Sequence, residues 1–477
     1  MAQAERSAVG LRSERGPILL SLMLSNSLVA LDSTIIATAV PSMVASLGGF
    51  SEFPWLFSVY LLAQAVSVPI YGRLSDLVGR KRILLVGIGL FLLGSLLSGI
   101  AWNMTALIVF RAVQGLGAGA IQPMGMTIAG DIYTVAERAR VQGYLASVWA
   151  VSSVVGPTLG GIFSEYLSWR WIFYVNLPLC LLAAYLVRNL KEDFTRVRHR
   201  IDYLGATLLA LGCGLLILGM LENGHTWSWV SLPGIGIPAL GLVLVALFLL
   251  RQRLAPEPIL PLWVLHRRVL ATSTCIAVAI GALVLGLTTY VPTYGQGVLG
   301  LGPLAAGFSL ATLTVGWPVA ASLSGRLYLR IGFRRTCLIG AVTAVIGTTL
   351  AAVLWNADTS PWLVAGLCFV VGLGMGLQAS PSLIVAQSSV GWSDRGVVTG
   401  TNVFGRSIGS SLGVALFGAV ANAALPVVGE PTAQQQMVAF HRVFVCVAII
   451  GATLLLLGAL LPDRLPGRVG ATDGEHR

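Results

Sequence analysis

GPILLSLMLSNSLVALDSTIIATAVP, residues 16–41, decides the architecture of this 477-residue chain. The stretch is apolar and long enough to cross a bilayer, for which about 20 residues suffice, and its one charge is Asp32. A carboxylate inside a membrane helix costs about 2.5–3.5 kcal/mol on insertion scales, so it reads as a functional group by default. Binding a proton or finding a cationic partner lowers that cost. Either response suits a switch that moves protons or cations across a membrane.

Composition agrees with lipid as the main solvent. Hydrophobic residues make up 56% of the chain and charged ones 10%, against about 25% charged in a soluble domain. The net charge of +11 does not point to nucleic acid, because the basic residues fall in short clusters between apolar runs. All but Lys81 and Lys191 are arginine, a skew compatible with a GC-rich bacterial genome. The six cysteines are scattered singly and form neither a metal-ligand spacing nor a disulfide framework. Nucleotide loops and nucleophilic triads are missing as well. GLGAG and GLGMG lie inside apolar spans without the strand–turn–helix setting that phosphate binding needs. No catalytic residue, metal or cofactor is expected, and the N-terminus resembles neither a cleaved signal nor a transit peptide.

Apolar runs predict fourteen membrane helices, at 17–41, 54–72, 83–102, 106–130, 143–164, 171–187, 204–221, 232–250, 269–294, 303–323, 336–355, 361–385, 397–424 and 438–461. With the N-terminus in the cytoplasm, 26 of the 30 basic residues fall on the cytoplasmic side. The exceptions are Arg111, Arg170, Arg406 and Arg442. An even number of spans returns the C-terminus to the same side.

The chain also repeats itself. Gly72-Arg73-Leu74 is followed by Gly79, Lys81 and Arg82, and Gly325-Arg326-Leu327 is followed at the same offsets by Gly332, Arg334 and Arg335. Both copies are expected in an inside loop after the second helix of a bundle. The organisation is therefore an all-α membrane protein with a cytoplasmic tail over 1–16 and a six-helix bundle over 17–187. A cytoplasmic linker over 188–203 leads to two inserted helices over 204–250. A cytoplasmic loop over 251–268, a second six-helix bundle over 269–461 and a cytoplasmic tail over 462–477 complete it.

Several motifs in order carry a resemblance over essentially the whole chain. GRLSDLVGRKR (72–82), LIVFRAVQGLGAG (107–119) and the Gly143, Ser152, Gly156, Pro157, Gly160, Gly161 series resemble the major facilitator superfamily. LDSTIIATAVP (31–41) and WRWIFYVNLP (169–178) resemble markers of its fourteen-helix drug:proton antiporter branch. The resemblance implies a multi-pass transporter of the bacterial cytoplasmic membrane, driven by the proton motive force. It would export lipophilic, cationic drugs, dyes or antiseptics, with protons and membrane lipid as its other partners. A dedicated exporter of one compound, or a non-transporting sensor on the same scaffold, are the rival readings.

Residue roles follow the same division. Gly72, Arg73, Asp76, Gly79, Arg80 and Lys81 are implied to form an inner gate, with Asp76 and Arg80 spaced for a local ion pair. The plainer reading is topological anchoring by the basic residues. Leu329 stands where the second copy would repeat Asp76, so the gate is expected to be asymmetric. Arg111 lies roughly 9 Å and Asp32 roughly 13 Å from the outer ends of their helices, depths compatible with contact. The expectation is that Arg111 pairs with Asp32 in one state and releases it in another, a static structural pair being the alternative. The fifth-helix series reads as a hinge, Ser152 replacing the usual glycine, or as plain helix packing. Asn26, Gln64, Gln122, Trp149, Tyr290, Tyr294, Gln296, Phe308, Trp317 and Asn402 are candidate cavity residues, their aromatic faces suited to lipophilic cations. Arg406 is a second intramembrane charge with no evident acidic partner in its bundle.

Overall fold

The computed structural model describes residues 10, 13, 15–133, 135–188, 202–223, 226–228, 230–391, 395–425 and 432–461. Most of the expected linker and both tails lie outside them. Among the described residues fourteen helices are long and apolar enough to cross a membrane, as the apolar runs predict.

The first bundle comprises α1 (Gly16–Leu47), α2 (Pro54–Val78), α3 (Arg80–Gly99), α4 (Met104–Ile132), α5 (Val135–Tyr166), and a sixth span split at Val175 into α6 (Trp171–Tyr174) and α7 (Asn176–Arg188). An antiparallel pair, α8 (Tyr203–Glu222) and α9 (Leu232–Leu254), follows, then the short α10 (Leu262–His266). The last six spans are α11 (Arg268–Gly297), α12 (Pro303–Ile331), α13 (Phe333–Leu354), α14 (Pro361–Ser388), α15 (Arg395–Asn422) and α16 (Ala433–Leu460).

Several helices outrun the predicted spans. The expected loop at 72–82 is helical through Val78, and only Gly79 leaves the helix, at φ 104°. Gly332 makes the same one-residue break between α12 and α13, at φ 90°. Helical backbone satisfies its own polar groups whether or not lipid surrounds it, so α2 and α12 continue past the bilayer until a glycine permits the left-handed turn. The Gly79 and Gly332 N–H groups close those helices on Ser75 O (2.9 Å) and Tyr328 O (3.0 Å).

The bundles meet through α5 on α12, α2 on α15 and α1 on α11. Most of these contacts lie in the half remote from the basic loops. A side chain at Gly161 would meet the Leu304 backbone at 2.6 Å, and one at Gly307 the Pro157 carbonyl at 2.7 Å. Gln296 Nε2 donates to Thr38 O at 3.0 Å, and Ser58 and Ser411 hydroxyls donate to each other's carbonyls at 3.2 and 2.8 Å. At the opposite ends of the seam helices α2, α12 and α15, Gly72, Gly325 and Gly400 face open space. The bundles are thus joined on the far face, while these three glycines on the face that carries the basic loops have no neighbouring helix within reach of a Cβ. The inserted α8 packs on α2 and α15, one helix from each bundle, and so lies over the seam.

Candidate functional site

The site begins with three glycines of α4. A Cβ at Gly115 would strike the Tyr60 carbonyl of α2, one at Gly117 the α3 backbone at Gly87 and Phe91, and one at Gly119 the Gln64 carbonyl and Ser67. Small residues let helix backbones approach this closely in a membrane, where packing rather than water drives association. Asn103 starts the helix by accepting from the Ala106 N–H at 2.7 Å. Two turns later the close fit holds Arg111 among α1, α2 and α3.

Arg111 Nη1 lies 2.6 Å from Asp32 Oδ2, with both side chains 1% exposed. Gln114 Nε2 donates to Asp32 Oδ1 at 2.8 Å, and Asn176 Nδ2 reaches the same oxygen at 3.4 Å. The guanidinium also donates to Gln114 Oε1 at 2.7 Å and Leu56 O at 3.3 Å. Its carbon lies 4.1 Å from the Tyr60 ring centroid, a cation–π distance. Ser95 Oγ accepts from Gln114 at 2.9 Å and from Asn176 at 3.4 Å.

The carboxylate faces nitrogen donors, the arrangement suited to an anion. Desolvating two ions costs several kcal/mol each, which only close geometry and extra hydrogen bonds offset. Tyr60 Oη, Ser98 Oγ and Asn176 Oδ1 are buried nearby with no partner among the described residues.

Sequence reasoning named Asp32 and Arg111 but missed Gln114, Asn176, Ser95 and Tyr60. Gln114 had a signal, being three residues after Arg111 on the same helical face. Asn176 had a weaker one, as the amide in WRWIFYVNLP, where the split at Val175 starts α7. Ser95 and Tyr60 had none. The same stretch anchors the far end of the bundle: Trp169 donates to Ser46 Oγ at 2.8 Å, and Arg170 donates to Ala101 O at 3.0 Å while stacking on Trp169.

In the gate series, Gly79 makes the turn and Lys81 donates to Arg188 O at 2.7 Å. The side chains of Arg73 and Asp76 lie outside the described residues, and so does the expected Asp76–Arg80 pair. Gly143 is helical, and its surroundings also lie outside the described set. The rest of the fifth-helix series lies in α5, which is helical through Pro157. Gly156 and Gly160 press on Thr34 and Thr38 of α1, Thr34 donates to Ser152 O at 3.1 Å, and Gly161 meets Leu304 of the second bundle. The series thus packs α5 against α1 on one side and α12 on the other.

The candidate cavity residues scatter. Gln64 donates to Gln122 at 3.2 Å, Asn26 to Leu22 O at 2.9 Å and Asn402 to Ser273 O at 3.2 Å, so these amides are engaged within the protein. Gln296 crosses the closed end of the seam, as described above. Trp149 and Trp317 are half-buried against the cores of their own bundles.

Three positions depart from the cavity expectation. Tyr290 and Tyr294 are fully buried in an aromatic cluster with Phe53, Phe417, Phe440 and Trp355 that plugs the far end. Phe308 is 58% exposed and shares a stripe with exposed Val315, Val319 and Leu323, the apolar face of a helix turned to lipid. Trp317, nine residues on, falls on the opposite side. A linear sequence shows aromatic character but not helix rotation.

Comparison with known proteins agrees with this architecture. A sequence model of the Major Facilitator Superfamily matches residues 22–200 and 193–414. The chain is 35% identical over 404 residues to Multidrug resistance protein 3 of Bacillus subtilis (strain 168), covering 84% of this chain and 79% of that protein. It is 33% identical over 418 residues to the Multidrug transporter protein MdtP of the same organism, covering 87% and 77%. The crystal structure of a D-xylose-proton symporter shares the fold, with a TM-score of 0.67 at 14% identity over 94% of this chain and 98% of that one. The chain belongs to the Major Facilitator Superfamily and is a multi-pass membrane transporter of small molecules rather than an enzyme.

Proposed function

We propose that this transporter exports lipophilic drugs and dyes from the cytoplasm in exchange for protons. The observation that carries the reading is the buried Asp32–Arg111 pair with its Gln114 and Asn176 donors. The multidrug names of two relatives covering more than four fifths of the chain support the substrate class.

Protonating Asp32 removes the charge that Arg111 faces and turns one carboxyl oxygen from acceptor to donor. The guanidinium then sits buried without a counter-ion, an arrangement disfavoured strongly enough to drive rearrangement of the helices around it. Losing the proton on the other side restores the pair. Each charge moved is worth about 2.3 kcal/mol per 100 mV of membrane potential.

The basic face is assigned to the cytoplasm, so the conformation described above is open inward. Lipophilic cations, the class suggested by aromatic residues in the sequence, have less support: Tyr290 and Tyr294 are sealed away and Phe308 faces outward. Lipophilicity defines the class.

Proton-driven ethidium efflux from proteoliposomes, compared for wild type and Asp32→Asn, tests the mechanism. The wild type should respond to an imposed pH gradient and the variant should not. Equal gradient-driven efflux by both would exclude Asp32 as the coupling group.

A further inference from the structure

Arg406 lies in the middle of α15, eleven residues from its start and sixteen from its end. Its side chain is half-buried, and among the described residues it has no hydrogen bond, ion pair or aromatic partner. Arg111, by contrast, is fully engaged.

The neighbours of Arg406 fix the direction in which it projects. Phe404 and Ile408 pack with Leu62 and Val66 of α2 and with the inserted α8. Gly405 and Gly409 press on Thr274 and Val278 of α11. Thr399, Arg406, Ser410 and Phe417, at steps of seven, four and seven residues, form one stripe beside these contacts, and α11 reaches it too: a Cβ at Gly281 would meet the Arg406 carbonyl and Ser410 Oγ, and one at Gly286 the Phe417 ring. Phe417 touches Tyr290, which touches Phe53 of the other bundle, with ring centroids 6.4 and 5.6 Å apart. The stripe thus borders the α11 contact on the side toward the Ser411–Ser58 crossing to α2, at the edge of the seam between the bundles. Phe417 and Ser410 are buried, and Arg406 is the first of the four, going toward the face with the basic loops, that is partly exposed.

A guanidinium stays charged at any physiological pH and presents a planar fork of donors that matches carboxylate and other oxyanions. Low-dielectric walls strengthen its pull on an anion entering the vestibule. We propose that Arg406 is an anion-binding site on the substrate path, and that the protein accepts lipophilic compounds bearing a carboxylate or similar oxyanion. The inference rests on the export reading in treating the seam as a solute path. A dissolved amphiphile, rather than a lipid headgroup, is the occupant.

The test is equilibrium binding to the purified full-length protein in neutral detergent, read by tryptophan quenching. The probes are 6-(nitrobenzoxadiazolyl-amino)hexanoate and its uncharged primary amide. Wild type should bind the carboxylate more tightly than the amide. Arg406→Gln should lose about tenfold or more in affinity for the carboxylate and less than twofold for the amide. Arg406→Lys, which keeps the charge without the fork, should fall between and decides the matter if the glutamine variant does not fold. Equal loss for both probes, or no loss for either, overturns the proposal. Displacement of the carboxylate by added phosphatidylglycerol, but not by phosphatidylcholine, also overturns it by assigning the site to lipid. Ethidium efflux by the same preparations keeps the two readings apart. Selective carboxylate binding without efflux sinks the export reading alone, and efflux without selectivity sinks this one.

Discussion

The two bundles use the same packing and different chemistry. VQGLGAG (113–119) in α4 corresponds to VVGLGMG (370–376) in α14. Gly115 meets the Tyr60 carbonyl and Gly372 the Leu313 carbonyl; Gly117 meets Gly87 and Gly374 meets Gly340; Gly119 meets Gln64 and Gly376 meets Trp317. Yet Cys368 stands where Arg111 does, Val371 where Gln114 does, and Leu313 where Tyr60 does. Asp32 and Leu283 each lie nine residues before a proline inside the first helix of their bundle. All four residues of the second set belong to one apolar core. The comparison teaches that the scaffold does not need the charges, since the second bundle fills the same space with hydrocarbon and a thiol. Where charge costs stability and apolar packing is available, charge kept in only one copy points to work other than holding the fold.

The largest effect should come from breaking the charged site by halves. Arg111→Leu strands the Asp32 carboxylate and should cost about 3–5 kcal/mol, measured by unfolding in detergent. Remaking the site as its counterpart, with Asp32→Leu, Arg111→Cys and Gln114→Val together, should restore or exceed wild-type stability while abolishing proton-driven efflux. A triple variant as unstable as the single one would mean that the bundles are not interchangeable in packing.

Glycine substitutions should hurt both bundles alike. Gly115→Val and Gly372→Val force a side chain into a facing carbonyl and should each cost about 1–3 kcal/mol or more, by the same measurement. A marked inequality between them would show that the close approach serves one bundle only.

Gly79→Ala and Gly332→Ala place a Cβ at left-handed φ and should each cost about 1–2 kcal/mol, seen as a lowered melting temperature. Any additional loss of transport confined to Gly79→Ala would support a gate limited to the first copy.

The smallest change is expected from Leu283→Met, a volume-conserving swap costing less than about 1.5 kcal/mol with efflux rates unchanged. A transport defect there would undo the contrast with Asp32.

Much of this is legible in the sequence. Apolar runs are set by lipid, which demands about 20 apolar residues per crossing whatever the neighbours do, so the fourteen spans could be counted. Asp32 and Arg111 stood out because charge is rare in such runs. Gln114, Asn176 and Ser95 did not, because polar uncharged residues are common in membrane helices and their importance depends on what they face. Tyr290, Tyr294 and Phe308 depart from the cavity expectation for the same reason: Tyr290 and Phe308 look alike in sequence, and helix rotation sends one into the far-end plug and the other to lipid.

The sequence by itself determined which segments enter the membrane, which face carries the basic loops, and which buried charges need an explanation. These are consequences of transfer free energies, which each segment carries alone. Only the tertiary structure decided that Arg111, Gln114 and Asn176 converge on Asp32, that the bundles close on the far face, and that Arg406 has no partner among the described residues. Those outcomes depend on backbone approach through glycine and on the rotation of each helix about its axis, and both are set by contacts between residues far apart in the chain.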